Sequence, residues 1–190
     1  MRALTTTVRT PDGSFSLLLA DGSILASGWT DDVAALAALV HPTLRPDEIV
    51  EVGPATREPH VTRAVEALTG YYDGDLAAPG TVPVRQHSGG FRMRAWDALR
   101  QVAPGERITY TEYAQRAGQP AAVRAAAAAC AMNAAALFVP CHRILRSDGG
   151  LGSFRYGWPS SNACWNGRPT RNRRRRSSSP TTRSLSASRK

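Results

Sequence analysis

The 190-residue sequence predicts an α+β fold, with a small N-terminal domain of mixed α and β structure followed by a mostly helical C-terminal domain. Short apolar segments separated by turns dominate the first third, which predicts an antiparallel sheet. From Phe91 onward, apolar residues recur at helical spacing. A loop rich in Pro and Gly over 77–90 separates the two patterns. We therefore assign 1–84 to the first domain and 85–158 to the second.

Three strands and two helices are expected in the N-terminal domain. The strands are 5–10, 15–20 and 24–29, joined by turns at Pro11-Asp12-Gly13 and Asp21-Gly22. The helices are 31–40 and 61–72, the second ending before Gly74.

The C-terminal domain opens with an amphipathic helix that ends before Pro104-Gly105. Thr109 and Glu112 have the spacing of a capping box, and Gly118 closes that second helix. Pro120 suits the first turn of a third helix over 121–132. Two short helices joined at Gly118 predict a helix-turn-helix of winged-helix-like type.

The helix over 121–132 is almost pure alanine and carries one long side chain, Arg124. Methyl groups on nearly every face allow its backbone to come close to another surface. The alternative is a tightly packed internal helix. The two interpretations are compatible if they apply to opposite faces.

Charge is distributed unevenly along the chain. Residues 1–84 contain five arginines against eleven acidic residues, whereas 85–158 contain ten against four. These two regions cancel, so the formal net charge of +9 resides in 159–190, where eight arginines and one lysine face no acid. The N-terminal domain therefore disfavours contact with DNA.

The cysteine pattern favours a reducing compartment. Cys130, Cys141 and Cys164 are odd in number and lack the spacing of a disulfide framework. The sequence shows no metal motif, no secretory h-region and no apolar stretch of about twenty residues. We expect a cytoplasmic protein.

Pro140-Cys141-His142-Arg143 sets a thiol beside an imidazole at the end of the apolar run 134–139. A neighbouring histidine can lower the pKa of a cysteine and so produce a thiolate nucleophile. The alternative is a buried thiol beside a core histidine whose hydrogen bonds are satisfied.

Several motifs from about 90 to 157 together resemble the O6-alkylguanine-DNA alkyltransferases, also called methylated-DNA–protein-cysteine methyltransferases. They are Phe91-x4-Trp96-x2-Leu99, the Pro104-Gly105 turn, Thr109-Tyr110, Gly118-x-Pro120-x3-Arg124, Asn133, Pro140-Cys141-His142-Arg143-Ile144 and 149–154. Tyr-Tyr-Asp-Gly-Asp at 71–75 suits the N-terminal domain of the same family.

The resemblance implies a suicide DNA repair reaction. The protein, expected to be a monomer, binds double-stranded DNA containing O6-alkylguanine, extrudes the damaged base and moves the alkyl group onto its own cysteine. No cofactor is implied. The thioether product is stable, so each molecule acts once.

The same resemblance implies roles for four residues in the chemistry. Cys141 accepts the alkyl group, and His142 takes its proton through a water. Tyr110 supplies a proton as the base leaves, and Asn133 braces the segment that carries the cysteine. The structural alternatives are a core-capping aromatic for Tyr110 and an ordinary helix C-cap for Asn133.

For DNA binding, Arg124 is implied to fill the gap left by the flipped nucleotide while its helix, including Ala125 and Ala128, lies in the minor groove. A solvated surface role is the alternative for this arginine. Phe154 stands where the family usually has tyrosine, so stacking on the base is retained but a hydroxyl hydrogen bond to guanine is lost.

Beyond Pro159 the chain departs from the family, which continues into a closing helix whose glutamate completes a Cys, His, water and Glu relay. Residues 159–190 are instead an Arg- and Ser-rich segment that we expect to be disordered. We suspect a frameshift, since GC-rich codons for 160–168 read from the third base give Val-Glu-Arg-Val-Leu-Glu-Arg-Glu. Nucleotide sequence with other codons would disprove this.

Two further functional hypotheses remain open at the level of sequence. A damage-binding protein without chemistry follows if the altered C-terminus leaves Cys141 a poor nucleophile. A thiol hydrolase is less well supported, because no separate base and orienting residue appear as a set.

Overall fold

The computed structural model describes residues 1–150 and 155–156, and its sheet has four strands in the order β3-β2-β1-β4. The strands are β1 Arg2–Thr10, β2 Gly13–Ala20, β3 Ser23–Gly28 and β4 Glu48–Glu51. β1, β2 and β3 form two antiparallel hairpins, as predicted. Gly13 has φ of 109° and Gly22 has φ of 75°, which only glycine adopts readily in such turns.

β4 was not predicted. It is four residues long, begins and ends with glutamate, and pairs in parallel with β1. A short, largely exposed segment has no apolar alternation to reveal it, so only its tertiary pairing defines it as a strand.

Within the described part of the chain, five α-helices follow the expected order. They are α1 Val33–Ala38, α2 Pro59–Asp73, α3 Gly90–Arg100, α4 Tyr110–Arg116 and α5 Val123–Ala131. A second, two-stranded parallel sheet joins β5 Ile108–Thr109 to β6 Ile144–Leu145 and was not predicted. The mixed α+β class with an antiparallel-rich sheet is confirmed.

The first residues of α4 and α5 were both predicted from nearby sequence, and the structure confirms only the start of α4. Thr109 Oγ1 accepts from the backbone N–H of Glu112 at 3.2 Å, and the Glu112 carboxylate accepts from the N–H of Thr109 at 2.6 Å, which is the predicted capping box. α5 begins at Val123, so the prediction that Pro120 lies in its first turn was wrong. Residues 120–121 form a turn instead, and the N–H of Ala122 bonds to the carbonyl of Gln119.

The largest hydrophobic cluster draws on both predicted domains. Phe15 and Leu17 of β2 lie in the same cluster as Leu68 of α2 and Trp96 and Leu99 of α3. The sheet and the helices therefore share a core, and the boundary near residue 84 stays a prediction.

β3 is an edge strand whose free edge is covered by two segments of the chain. Ile24 bridges Val84, and Ser27 bridges Ala135, both in parallel. An uncovered edge would offer free N–H and C=O groups. Here that edge holds the loop before α3 and the segment that leads to Pro140.

No helix among the described residues is long and apolar enough to cross a membrane. Within the same residues, no group of three His, Cys, Asp or Glu side chains is arranged to hold a metal ion. Phe154, Cys164 and the segment 159–190 lie outside the described residues.

Candidate active site

Cys141 begins a short 3₁₀ helix, Cys141–Arg143, directly after a tight turn. Its N–H donates to the carbonyl of Val139 at 2.8 Å, and Pro140 between them has φ of −82° and ψ of 61°, the geometry of an inverse γ-turn. In the segment before Pro140, Leu137 has φ of 72°, a left-handed conformation that non-glycine residues rarely adopt. The thiol is therefore carried by a closely constrained backbone.

Asn133 connects this turn to the end of α5. Its side chain is only 3% exposed. Nδ2 donates to the carbonyl of Val139 at 2.9 Å and to Cys141 Sγ at 3.3 Å. Oδ1 accepts from the N–H of Ala135 at 3.1 Å. The structure thus brings together Asn133 and Cys141, two of the predicted site residues.

Burial governs the protonation of the Cys141 and His142 pair. It raises the pKa of Cys141, against the hydrogen bond from Asn133, which acts to lower it. Burial also lowers the pKa of His142 to about 3, with a smaller contribution from the Arg143 guanidinium. Both groups are neutral at neutral pH, so the sequence-based expectation that His142 lowers the pKa of the thiol below its ordinary value does not hold.

His142 also has an unused hydrogen-bonding atom. The residue is 7% exposed, and Nδ1 has no hydrogen-bond partner within 1–150 and 155–156. Its neighbour Arg143 is instead anchored, donating to the carbonyls of Val102 at 2.6 Å and Leu76 at 3.3 Å. An unsatisfied buried nitrogen costs about 1–3 kcal/mol, so this position is suited to an acceptor or donor from elsewhere.

Tyr110 lies at the first position of α4 and is half-buried. Its pKa is raised to about 12, mainly by burial and to a smaller extent by the thiols of Cys130 and Cys141. The phenol therefore remains protonated and can act as a hydrogen-bond donor at neutral pH.

Three residues near the site were missed from the sequence. Tyr113 is fully buried, its hydroxyl has no partner in the described part of the chain, and burial raises its pKa. Cys130 is a free thiol whose pKa burial raises strongly. Gln86 bonds to Asn133. Tyr113 follows Tyr110 by three residues, a helical spacing that could have revealed it.

α5 has two distinct faces. Arg124, Ala125 and Ala128 are exposed, whereas Ala126 and Ala129 are fully buried. On the buried side, the indole Nε1 of Trp96 donates to the carbonyl of Ala129 at 2.9 Å. One face of the helix thus packs on α3, while the other presents methyl groups and one guanidinium to solvent.

Residues 155–156 return to the site after the segment that holds Phe154. The Arg155 guanidinium donates to the carbonyl of Ala131, at the end of α5. Tyr156 lies over β3, with its hydroxyl 3.5 Å from the Ser27 carbonyl. A Cβ at Gly28 would lie 2.1 Å from that hydroxyl, so this close approach requires glycine.

Comparison with known proteins identifies similar sequences and folds. The family model described as "6-O-methylguanine DNA methyltransferase, DNA binding domain" matches residues 90–166. The bifunctional transcriptional activator/DNA repair enzyme Ada of Escherichia coli is 43% identical over 79 residues, covering 42% of this chain and 22% of Ada. The methylated-DNA–protein-cysteine methyltransferase of Haemophilus influenzae is 36% identical over 91 residues, covering 48% of this chain and 51% of that protein.

Among solved structures, Mycobacterium tuberculosis OGT in complex with DNA has a TM-score of 0.63 and 25% identity, covering 80% of this chain and 84% of that one. The matched part of this chain thus spans between about a fifth and about half of the length of the two curated relatives named above. The sequence similarity includes the segment with Tyr110, Arg124 and Cys141, since the family model covers it.

Proposed function

Because the chain belongs to the O6-alkylguanine-DNA alkyltransferase family, we propose that it transfers an alkyl group from O6-alkylguanine in duplex DNA to its own Cys141. The observation that carries this proposal is the contact of 3.3 Å between Asn133 Nδ2 and Cys141 Sγ. A donor aimed at sulfur stabilises a thiolate relative to a thiol.

The reaction is a displacement at the alkyl carbon. The Cys141 thiolate forms a carbon–sulfur bond while the bond between that carbon and guanine O6 breaks, and the base takes up a proton as it leaves. The products are a thioether and guanine. Since nothing in the reaction regenerates the thiol, each molecule acts once.

Tyr110 is suited to supply the proton to the departing base, because its pKa of about 12 keeps it protonated. His142 receives the proton of the thiol through a water. The low pKa of the imidazole makes it a weak base in the resting site. It becomes a stronger base if an acidic group bonds to its free Nδ1, as the glutamate of the family relay does.

We assign DNA binding to residues 85–158, with α4 and α5 acting as a winged-helix-like helix-turn-helix. The exposed methyl face of α5 supports this role, since Ala125 and Ala128 allow close approach to a minor groove. Arg124 is the long exposed side chain on that face and enters the duplex where the guanine is extruded. Extrusion is required because the O6-alkyl carbon is inaccessible to a thiolate within the base stack.

Peptide mass spectrometry tests the proposal directly. The chain is incubated with a duplex containing one O6-methylguanine, and the peptides with Cys141 and Cys130 are compared. We expect one added methyl group on the Cys141 peptide and none on the Cys130 peptide. The matched control duplex contains guanine, and methylation of either peptide there would indicate a contaminating alkylating agent.

A second candidate function is a damage-binding protein without chemistry. It is favoured by the raised pKa of Cys141 together with the unpartnered Nδ1 of His142 in the described residues. Tight binding to the O6-methylguanine duplex with an unmodified Cys141 peptide would establish this function and exclude the first.

A further inference from the structure

The loop before α3 supplies a side chain, that of Gln86, to the hydrogen-bond network of the cysteine. Gln86 Nε2 lies 3.2 Å from Asn133 Oδ1, and its Oε1 accepts from the backbone N–H of Ala134 at 3.0 Å. Gln86 is 47 residues from Asn133 in the chain, so only the fold brings them together.

Backbone groups determine which way each amide points. The N–H of Ala134 can only donate, so it requires the oxygen of Gln86 and leaves Nε2 to face Asn133. The N–H of Ala135 likewise requires Asn133 Oδ1, and the carbonyl of Val139 requires Nδ2. A flip of either amide would oppose donor to donor and acceptor to acceptor.

The result is a directed chain of hydrogen bonds that ends on the sulfur. The N–H of Ala134 donates to Gln86, Gln86 donates to Asn133, and Asn133 donates to Cys141. Hydrogen bonds in such a chain polarise one another, so each donor strengthens the next. The amide that faces Cys141 is therefore both oriented and made a stronger donor.

β3 holds both ends of this chain in place. Its Ile24 donates to the carbonyl of Pro83 at 2.9 Å and accepts from the N–H of Arg85 at 2.8 Å, which positions the residue before Gln86. Ser27 donates through its N–H to the carbonyl of Ala134 at 2.9 Å and through Oγ to that of Ala136 at 2.8 Å. The N-terminal sheet is thus a platform for the network around the thiol.

We infer that Gln86 is a positioning residue for alkyl transfer: it orients the Asn133 amide toward Cys141 Sγ and so favours the thiolate. The inference rests on the proposed function for its biological meaning. The effect on the thiol itself does not depend on DNA.

The test uses the full chain and the rate at which iodoacetamide modifies Cys141, measured by peptide mass spectrometry from pH 6 to 10. Gln86→Leu removes both hydrogen bonds of the Gln86 side-chain amide. We expect the pKa of Cys141 to rise, which slows its modification about threefold to tenfold at pH 7.5. Gln86→Glu keeps the acceptor for Ala134 but places a carboxylate against Asn133 Oδ1. We expect at least as large an effect there.

Gln101→Leu is the matched control, because Gln101 is exposed and the same substitution there should leave the profile unchanged. Other titratable or charged groups also act on Cys141 or lie beside it, namely those of Tyr110, Tyr113, Cys130, His142 and Arg155. Their contribution to the pKa of Cys141 is the same in the parent and the variants. If Gln86→Leu does not fold, Gln86→Glu carries the same test.

Alkyl transfer from an O6-methylguanine duplex is measured in parallel, with duplex affinity as the second readout. We expect slower transfer in both Gln86 variants with affinity within about twofold of the parent. A Cys141 profile unchanged in both variants would overturn the inference. If the parent itself transfers no methyl group, the proposed function fails, while the iodoacetamide profile still decides the role of Gln86.

Discussion

Two thiols in the same core, Cys141 on its turn and Cys130 near the end of α5, have different surroundings. Burial raises the pKa of both. At Cys141 the amide of Asn133, two backbone groups and the Arg155 guanidinium oppose that effect. At Cys130 burial is reinforced by the neighbouring Cys141, and no opposing hydrogen bond acts on it from the described residues.

The difference shows how a buried thiol is prepared for chemistry in this fold. Exposure does not distinguish the two cysteines, since both residues are of intermediate exposure and burial raises the pKa of both thiols. A hydrogen-bond donor directed at sulfur does distinguish them, because it stabilises the thiolate where solvent cannot. That donor is the side chain of Asn133, just after the end of α5, and the turn around Pro140 brings Cys141 Sγ within its reach.

The largest expected effect is from serine substitution at the two positions. Cys141→Ser should abolish methyl transfer from an O6-methylguanine duplex, because a hydroxyl of high pKa cannot replace the thiolate. Cys130→Ser should retain transfer within about threefold. Transfer is measured as methylated protein by intact mass. Equal losses in both variants would remove the distinction between the two thiols.

The raised pKa of Cys141 predicts a strong dependence on pH. Below that pKa the thiolate fraction rises about tenfold per pH unit, so modification by iodoacetamide should rise about 100-fold from pH 6 to 8. The pKa of His142, about 3, keeps the imidazole neutral over this range. Cys130 in the same sample is the internal reference and should react more slowly throughout. A plateau by pH 7 would show that Cys141 is already ionised.

Burial of His142, beside Cys141, makes the free energy of unfolding depend on pH, and no such effect arises beside Cys130 in the described part of the chain. Its folded pKa of about 3 lies below the ordinary value of 6.5, so the unfolded chain binds the extra proton and stability is lost as pH falls from 6.5 toward 3. Between pH 7 and 5 the loss is about 2 kcal/mol. Urea unfolding of His142→Gln should lack that loss. If the variant shows the same loss of stability, the proton taken up on unfolding belongs to a group other than His142.

The smallest expected effect comes from removing the Asn133 amide, the hydrogen-bond donor that distinguishes Cys141 from Cys130. Asn133→Leu leaves Cys141 with burial and backbone contacts, and its pKa should rise by about one unit, slowing modification at pH 7.5 about tenfold. Cys130 should be unaffected. The measurement is the ratio of the two modification rates in one sample. A ratio equal to that of the parent would assign the activation of Cys141 to the backbone groups and the Arg155 guanidinium.

The sequence was informative for several features that local chemistry determines, although the expected start of α5 at Pro120 was wrong. The hairpin turns, the capping box at Thr109, the helical region after Phe91 and the motif around Cys141 could all be predicted, because short-range spacing and backbone preference determine them. The family resemblance also came from the sequence, since it depends on motif order rather than on contacts.

Other features depended on tertiary structure. β4 and the pairing of β5 with β6 have weak local signals, and their hydrogen bonds come from segments distant in the chain. The shift in the pKa of His142 arises from burial, which motif spacing does not report. Gln86 lies in a loop and meets Asn133 only because β3 holds both segments at its edge. The sequence determined by itself which residue is the candidate nucleophile, whereas the fold decided how it is activated, because orientation and desolvation arise from contacts between distant residues.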